Sequence, residues 1–324
     1  MKKKVLILIT IFCFVFVNSL DSQHLEKKYT KDIRYLFYLP ENYGKDTTVR
    51  WPLILFLHGG GERGNNLERV KGNGVPKYIA SGKKLPFIVV APQVASGKLW
   101  DPDLVVLMLK DIIKNYKVDE ERIYLTGLSI GGLGTWETAE KYPELFAAIA
   151  PVSSWGDPSK EWRIRHTPAW VFHGAKDPKV PVIASQVMSD TLKHYNDNVK
   201  LTIYPNAGHD CWNETYFNEK LYEWFLEHKR FRFQPTIIKD PLEKFTGMYV
   251  SGIDSVMITL INGNLIFKNR FLGLNAISLK PASGNTFFFN ENSLNEINYI
   301  IDKNGFMTSF VFYKDSRNAF LRLK

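Results

Sequence analysis

Short apolar runs alternate with longer stretches of helical spacing between about residues 33 and 228. The runs are hydrophobic almost without interruption, as expected of strands in a parallel sheet whose two faces are covered by helices. The runs lie at 53–57, 87–91, 122–126, 146–150, 169–173 and 201–204, and the helical stretches at 102–116, 130–141, 181–195 and 214–228. This alternation predicts a doubly wound, mostly parallel α/β sheet.

The chain beyond about residue 246 has a different pattern, with short strand-like segments of alternating character and no long helical stretch. The segments lie at 256–261, 265–267, 286–289, 297–301 and 307–313. Asn262-Gly263 and Asn304-Gly305 separate such segments, and Asn-Gly favours tight hairpins because both residues tolerate positive φ. We therefore predict a small antiparallel β domain over residues 246–324. Residues 20–232 form the predicted α/β domain, and residues 233–245 the linker.

The first 19 residues have the composition of a signal peptide. Lys2, Lys3 and Lys4 precede an apolar run at 5–17, and small or polar residues follow it. The run is shorter than the roughly 20 residues that span a bilayer, and a retained membrane anchor is the alternative. We predict cleavage after Ser19, no stable membrane span in the mature chain, and a secreted or periplasmic location.

Composition excludes several classes of protein. The formal net charge of +9 includes Lys2, Lys3 and Lys4, and no basic run is interleaved with aromatic residues, so we expect no nucleic-acid partner. Only two cysteines are present, which excludes a disulfide scaffold and a zinc ribbon. We predict neither a metal nor an organic cofactor.

A G-x-S-x-G motif, residues 127–131, follows the strand at 122–126 and opens a predicted helix. In this context the serine projects from a tight strand-to-helix turn that only glycine can flank, and it serves as a nucleophile. Gly127 and Gly131 meet that requirement, and Ser129 is the predicted nucleophile. A serine that merely caps a glycine-rich helix start is the alternative.

A nucleophilic serine needs a base, and the base needs a carboxylate that orients it. In this type of sheet the partners follow in the order serine, acid, histidine, each after a later strand. Asp177 follows the strand at 169–173, and His209 follows the strand at 201–204. We predict them as orienting acid and general base. Cys211 offers an alternative nucleophile, but Ser129 already occupies the turn.

The loop His58-Gly59-Gly60-Gly61 follows the first long buried strand and matches the HGGG-type loop that supplies an oxyanion donor. We predict that the backbone N–H groups of Gly60 and Ile130 form the oxyanion hole, and that His58 supports the loop. The alternative is a dinucleotide-binding G-x-G-x-x-G at residues 59–64. It is disfavoured because the following residues make a poor helix start.

These segments together resemble the α/β-hydrolase superfamily over about residues 52–225. More narrowly they are similar to secreted bacterial esterases called "predicted peptidases", which are related to carbohydrate esterase family 1, the dienelactone hydrolases and the prolyl oligopeptidase catalytic domain. The resemblance implies the same roles for Ser129, Asp177 and His209. The chain departs from its relatives at Cys211, where serine is more usual, and at Gly60, where alanine is common.

Three tryptophans follow predicted strands, at the edge where such sheets bind ligands. We expect Trp100, Trp155 and Trp212 to contact substrate, although packing at the loop bases is the alternative. The predicted function is a secreted serine carboxylic ester hydrolase acting on acetyl or feruloyl esters, either small or linked to polysaccharide.

Two other functions remain open from the sequence. One is a secreted peptidase of the prolyl oligopeptidase type, which is weakened because only residues 20–32 precede the alternating region that starts at about residue 33, and no gating domain is expected there. The other is a glycan- or surface-binding protein whose β domain carries an aromatic platform, formed by Tyr249, Phe267, Phe271, Phe287 and Phe289.

Overall fold

The computed structural model describes residues 25–28, 33–269, 274–291, 293–314 and 316–323. The predicted signal peptide, residues 1–19, and Phe271 lie outside the described residues. Two sheets organise the described chain, an eight-stranded open sheet followed by a closed antiparallel barrel. The predicted fold class is therefore confirmed. No helix of the described ranges combines the length and the apolar character needed to cross a membrane.

The open sheet has the strand order β1-β2-β4-β3-β5-β6-β7-β8. Its strands are β1 (Leu25–Lys28), β2 (Arg34–Tyr38), β3 (Trp51–Leu57), β4 (Ile88–Pro92), β5 (Val118–Leu128), β6 (Ala148–Val152), β7 (Ala169–Gly174) and β8 (Val199–Tyr204). Strands β3 to β8 pair in parallel, whereas β1 and β2 are antiparallel additions at one edge. The parallel order brings the carboxyl ends of β3, β5, β7 and β8 to one edge of the sheet.

Six α-helices accompany the sheet in the described chain: α1 (Gly74–Ala80), α2 (Pro102–Asn115), α3 (Ile130–Lys141), α4 (Val182–Lys193), α5 (Trp212–Tyr216) and α6 (Lys220–Glu227). Successive residues of β3 pack into different cores, Ile54 and Phe56 into one and Leu53, Leu55 and Leu57 into the other. Both faces of β3 are therefore covered, which explains its uninterrupted apolar sequence.

The helix predicted at 214–228 is wrong as a single element, because the structure has two helices there. Asn218 lies between α5 and α6, and its side-chain oxygen accepts a hydrogen bond from the backbone N–H of Lys220 at 3.2 Å. Asparagine competes in this way with helical hydrogen bonds and favours a new helix start. Helix α1 was not predicted.

The barrel consists of β9 (Gly247–Ser251), β10 (Asp254–Ile261), β11 (Asn264–Asn269), β12 (Leu274–Pro281), β13 (Thr286–Phe288), β14 (Glu296–Ile301), β15 (Met307–Tyr313) and β16 (Arg317–Arg322). Strand β9 pairs with both β10 and β16 and closes it. Asn262 and Gly263 have φ values of 50° and 74° in the turn between β10 and β11. The barrel strands that were not predicted from the sequence are β9, β12 and β16, and in the open sheet β1 and β2 were not predicted.

The aromatic side chains considered as an exposed platform lie in the barrel core. Tyr249, Phe267 and Phe287 are buried, and Phe289 packs against them. Ring contacts link Phe267 with Phe289 and Phe287 with Tyr299. These four residues therefore fill the barrel and do not present a binding face.

The barrel contacts the α/β domain at the edge where the parallel strands begin. Arg165, which precedes β7, forms a buried ion pair with Glu296 of β14, and His166 Nε2 lies 3.2 Å from the same carboxylate. Phe233, the first residue of the predicted linker, stacks its ring on that of Phe288 with centroids 4.9 Å apart. A cavity of about 310 Å³ lies between the two parts and is lined partly by Lys141, the last residue of α3.

Candidate active site

Ser129 lies in a tight turn between β5 and α3. Its backbone has φ 55° and ψ −119°, a conformation that an L-residue adopts only under strain. A Cβ atom at Gly127 would lie 2.3 Å from the backbone oxygen of Gly131, and one at Gly131 would lie 2.0 Å from that of Leu57. The two glycines therefore permit helix α3 to start directly against β3 and β5.

The structure brings Ser129, His209 and Asp177 within hydrogen-bonding distance of one another. His209 Nε2 lies 3.0 Å from Ser129 Oγ, and His209 Nδ1 lies 2.7 Å from Asp177 Oδ2. A carboxylate only accepts hydrogen bonds, so Nδ1 carries the proton and Nε2 is free to accept from the serine hydroxyl. This is the protonation pattern that a general base needs.

Three groups donate hydrogen bonds to the carboxylate of Asp177. The backbone N–H groups of Lys179 and Val180 donate to Oδ1 at 2.8 and 3.0 Å, and His209 donates to Oδ2. Burial alone would raise the pKa of Asp177, but the hydrogen bonds from Val180, His209 and Lys179 outweigh it and lower the pKa. Asp177 therefore remains ionised beside the imidazole.

A second histidine, for which the sequence predicts no role, also contacts Asp177. His173, on β7, is fully buried, and its Nε2 lies 3.2 Å from Asp177 Oδ2 and 2.9 Å from the backbone oxygen of Val180. Its Nδ1 lies 2.7 Å from Ser185 Oγ on α4. The contact of His173 with Asp177 could have been predicted from its position four residues before the acid.

The glycine loop after β3 is held from behind by His58. Nε2 of His58 accepts the backbone N–H of Val94 at 3.1 Å, so its Nδ1 donates to the backbone oxygen of Gly59 at 2.6 Å. Burial lowers the pKa of His58 to about 4, which keeps the ring neutral. Gly60 and Ile130 each begin a helical turn, so their N–H groups have no acceptor within it.

A cavity of about 510 Å³ opens over Ser129 and His209. Gly60 of the loop lines one side, together with Glu62 and Asn73, and Trp212 lines the side of the histidine. Glu62, Asn73 and Lys179 also line the cavity and were not predicted from the sequence. Glu62 could have been predicted near the site from the sequence, because it directly follows the glycine loop.

Only one of the three predicted substrate-contacting tryptophans reaches the cavity. Trp212 lines it, and its ring lies edge-on to that of His209 with centroids 5.1 Å apart. Trp100 is buried and donates its Nε1–H to the backbone oxygen of His58 at 3.1 Å, so it supports the loop from inside. Trp155 lies on the loop after β6 and is partly exposed, outside the cavity lining.

Cys211 is a packed residue beneath the histidine loop. It is buried, with Sγ 3.0 Å from Ser153 Oγ, and burial raises the pKa of its thiol to about 11. A thiol of that pKa is a weak nucleophile at neutral pH. Within the described residues, no group of three or more His, Cys, Asp or Glu side chains is arranged to hold a metal ion.

Known proteins that are similar to this chain include hydrolases. Residues 104–220 match the model of the phospholipase/carboxylesterase family. A solved thermostable esterase is 33% identical, with a TM-score of 0.57 over 65% of this chain and 64% of that one. An acetyl xylan esterase from Aspergillus awamori shares the fold, with a TM-score of 0.50 at 17% identity, over 64% of this chain and 99% of that one.

The curated relatives match a smaller share of this chain. A bifunctional acetylxylan esterase/xylanase from Neocallimastix patriciarum is 27% identical over 194 residues, which is 58% of this chain. The chain spans 27% of that relative, and 28% and 48% of the next two. The sheet order, the strand-to-helix turn at Ser129 and these likenesses lead to one conclusion: the chain has the α/β-hydrolase fold, and the proteins to which it is similar include esterases.

Proposed function

We propose that the protein is a serine carboxylic ester hydrolase that works through an acyl-enzyme. The observation that carries the proposal is the pair of short contacts from His209, 3.0 Å to Ser129 Oγ and 2.7 Å to Asp177 Oδ2. A hydroxyl, an imidazole and an ionised carboxylate in this order can activate the serine without any further group. The relatives named as esterases support ester rather than other acyl substrates.

In the proposed reaction, Ser129 Oγ attacks the ester carbonyl while His209 Nε2 takes the hydroxyl proton. His209 then gives that proton to the departing alcohol, and a water molecule, deprotonated by the same nitrogen, releases the acid. Asp177 holds the imidazole in the required tautomer and stabilises its positive charge. The N–H groups of Gly60 and Ile130 are the proposed donors to the oxyanion, and each is worth roughly 10²–10³ in rate.

Carbohydrate-linked acyl esters are the proposed substrate class. Trp212 supplies an aromatic surface beside the catalytic groups, and such surfaces pack well against sugar or phenolic rings. The similarity to a protein named as an acetylxylan esterase supports acetyl esters of xylan as the substrate of this protein. We also propose that residues 1–19 direct export, because their charge and apolar run are those of a signal peptide.

Substitution of the serine tests the proposed reaction. Ser129→Ala is expected to lower p-nitrophenyl acetate turnover by roughly 10⁶-fold and to abolish labelling by a fluorophosphonate. Ser96→Ala, on an exposed loop, is the matched control and should retain both. Undiminished turnover in the Ser129 variant would refute the assignment.

A further inference from the structure

The side chain of Asn73 joins the two walls of the cavity. Its Nδ2 donates to Glu62 Oε1 at 2.6 Å, on the side of the glycine loop. Its Oδ1 accepts the indole N–H of Trp212 at 3.0 Å, on the side of the histidine loop. A carboxylate only accepts and an indole only donates, so these two partners fix which end of the amide is oxygen and which is nitrogen.

Asn73 lies at the start of α1, but its side chain does not cap the helix. Asn73 occupies the N-cap position of α1, where an asparagine side chain ordinarily accepts a backbone N–H of the first turn. Here the side chain makes no capping hydrogen bond. The amide is instead committed to the cavity, which indicates a role in what the cavity binds.

The two contacts use one N–H of the amide and leave the second N–H for another acceptor. Asn73 is only partly buried and lines the same cavity as Ser129 and Trp212. Glu62, in contrast, is 93% buried, with 7% of its surface exposed, so it acts as an anchor for the amide. A fixed donor beside an aromatic ring is a common arrangement for binding a sugar, whose ring packs on the indole and whose oxygens accept hydrogen bonds.

We propose that Asn73 is a specificity-determining residue that donates its remaining N–H to an oxygen of a sugar alcohol packed against Trp212. This inference rests on the proposed ester hydrolase function and adds the recognition of the alcohol part of the substrate. Glu62 is then a positioning residue, because it orients the amide and does not touch the substrate. Esters whose alcohol lacks a second oxygen, such as phenyl acetate, gain nothing from Asn73.

The test compares two acetyl esters, acetylated xylotriose and phenyl acetate, with the full-length protein. For Asn73→Ala the ratio of kcat/KM for the sugar ester to kcat/KM for phenyl acetate should fall about 3- to 10-fold, the loss expected for one neutral hydrogen bond. Asn73→Asp, which keeps the side-chain shape but removes the donor, should lower the same ratio and serves if the alanine variant does not fold. Asn213→Ala, an amide outside the cavity lining and next to Trp212, should leave the ratio unchanged.

The outcomes separate this inference from the function on which it rests. An unchanged ratio in both Asn73 variants, with or without a common loss of rate, would overturn the role of Asn73. Hydrolysis of phenyl acetate but not of the sugar ester by the unmodified protein would also overturn it, while leaving the esterase function intact. Failure of the folded, unmodified protein to hydrolyse either ester would instead reject the proposed function.

Discussion

His173 Nε2 lies 3.2 Å from Oδ2 of Asp177, the oxygen that also accepts the N–H of His209. The same nitrogen is 2.9 Å from the backbone oxygen of Val180, whose own N–H donates to Asp177 Oδ1. The loop that carries the acid is therefore tied to β7 by one buried imidazole. This arrangement makes His173 a support of the loop after β7.

We expect His173→Phe to destabilise the protein by about 1–3 kcal/mol, because the phenyl ring fills the space but leaves the buried oxygen of Val180 without a donor. Urea unfolding followed by tryptophan fluorescence measures this free energy. His194→Phe, at the exposed end of α4, is the matched control and should change it by less than about 0.5 kcal/mol. Equal effects of the two substitutions would contradict the prediction.

Asp177→Asn should preserve the fold and lower kcat for p-nitrophenyl acetate by about 10⁴-fold. The amide nitrogen of the new side chain would face His209 Nδ1 and favour the tautomer with its proton on Nε2, which cannot accept the proton of Ser129. The matched control is Asp210→Asn, which changes an exposed carboxyl group next to His209 in the sequence and should retain normal kcat. A small effect at Asp177, with circular dichroism unchanged, would argue against its assigned role.

Gly131→Ala should cost about 1–3 kcal/mol of stability or prevent folding, because the new methyl group would lie 2.0 Å from the backbone oxygen of Leu57. The start of α3 must then move away from β3, and Ser129 moves with it. Thermal unfolding and the rate of fluorophosphonate labelling report the two effects. The matched control is Gly72→Ala, where a Cβ atom meets no atom within 4 Å, and it should change neither the unfolding temperature nor the labelling rate.

Two buried carboxyl groups, Glu140 on α3 and Glu161 near it, predict that stability falls as the pH rises above about 4.5. Burial is the main cause that raises the pKa of Glu161 to about 9 and that of Glu140 to about 7. Among the described residues, neither oxygen of Glu161 has a hydrogen-bond partner. Because both pKa values are higher in the folded protein than in the unfolded chain, the folded protein binds these two protons more tightly.

The free energy of unfolding should therefore fall as pH rises from about 4.5, the unfolded pKa, towards the folded value, by up to about 1.4 kcal/mol per pH unit for each group. Glu161→Gln removes the contribution of this carboxyl group and should make the free energy of unfolding less dependent on pH between pH 6 and 8. Urea unfolding at several pH values measures this slope. Glu223→Gln, exposed on α6, should leave the slope as it is, and an unaltered slope in Glu161→Gln would contradict the argument.

Glu296→Gln should destabilise the contact between barrel and α/β domain, because Arg165 would keep a buried charge without its counter-ion. Removing one partner of a buried pair typically costs about 3–5 kcal/mol. We expect faster proteolysis within the predicted linker, residues 233–245, and a lower unfolding temperature. Glu291→Gln breaks a half-exposed pair with Lys280 in the same barrel and should cost no more than about 1 kcal/mol.

The proximity of Ser129, Asp177 and His209 was predictable because each follows a strand of a parallel sheet. Parallel strands deliver their carboxyl ends to one edge, so position relative to the strand is enough to bring distant residues together. The two glycines flanking the serine turn were predictable for a similar local reason, since the turn leaves no room for a side chain.

Residues whose place depends on packing between distant segments were not predictable. Asn73 and Trp212 are 139 positions apart, and nothing near Asn73 in the sequence indicates its partner. Trp100 and Trp212 both follow strands, but one turns into the core and the other towards the cavity, a difference decided by the space around each indole. The split of α5 from α6 depended on a single asparagine inside a helical pattern.

Helix α3 begins directly after Ser129 and ends at Lys141, beside the barrel. Its 12 residues correspond to about 18 Å, so the two parts of the protein meet at the opposite end of the helix from the reacting hydroxyl. A lineage could therefore exchange or discard its C-terminal module by recombination without rebuilding the chemistry. Conversely, substitutions around the cavity that change the substrate need not disturb the contact between the barrel and the α/β domain.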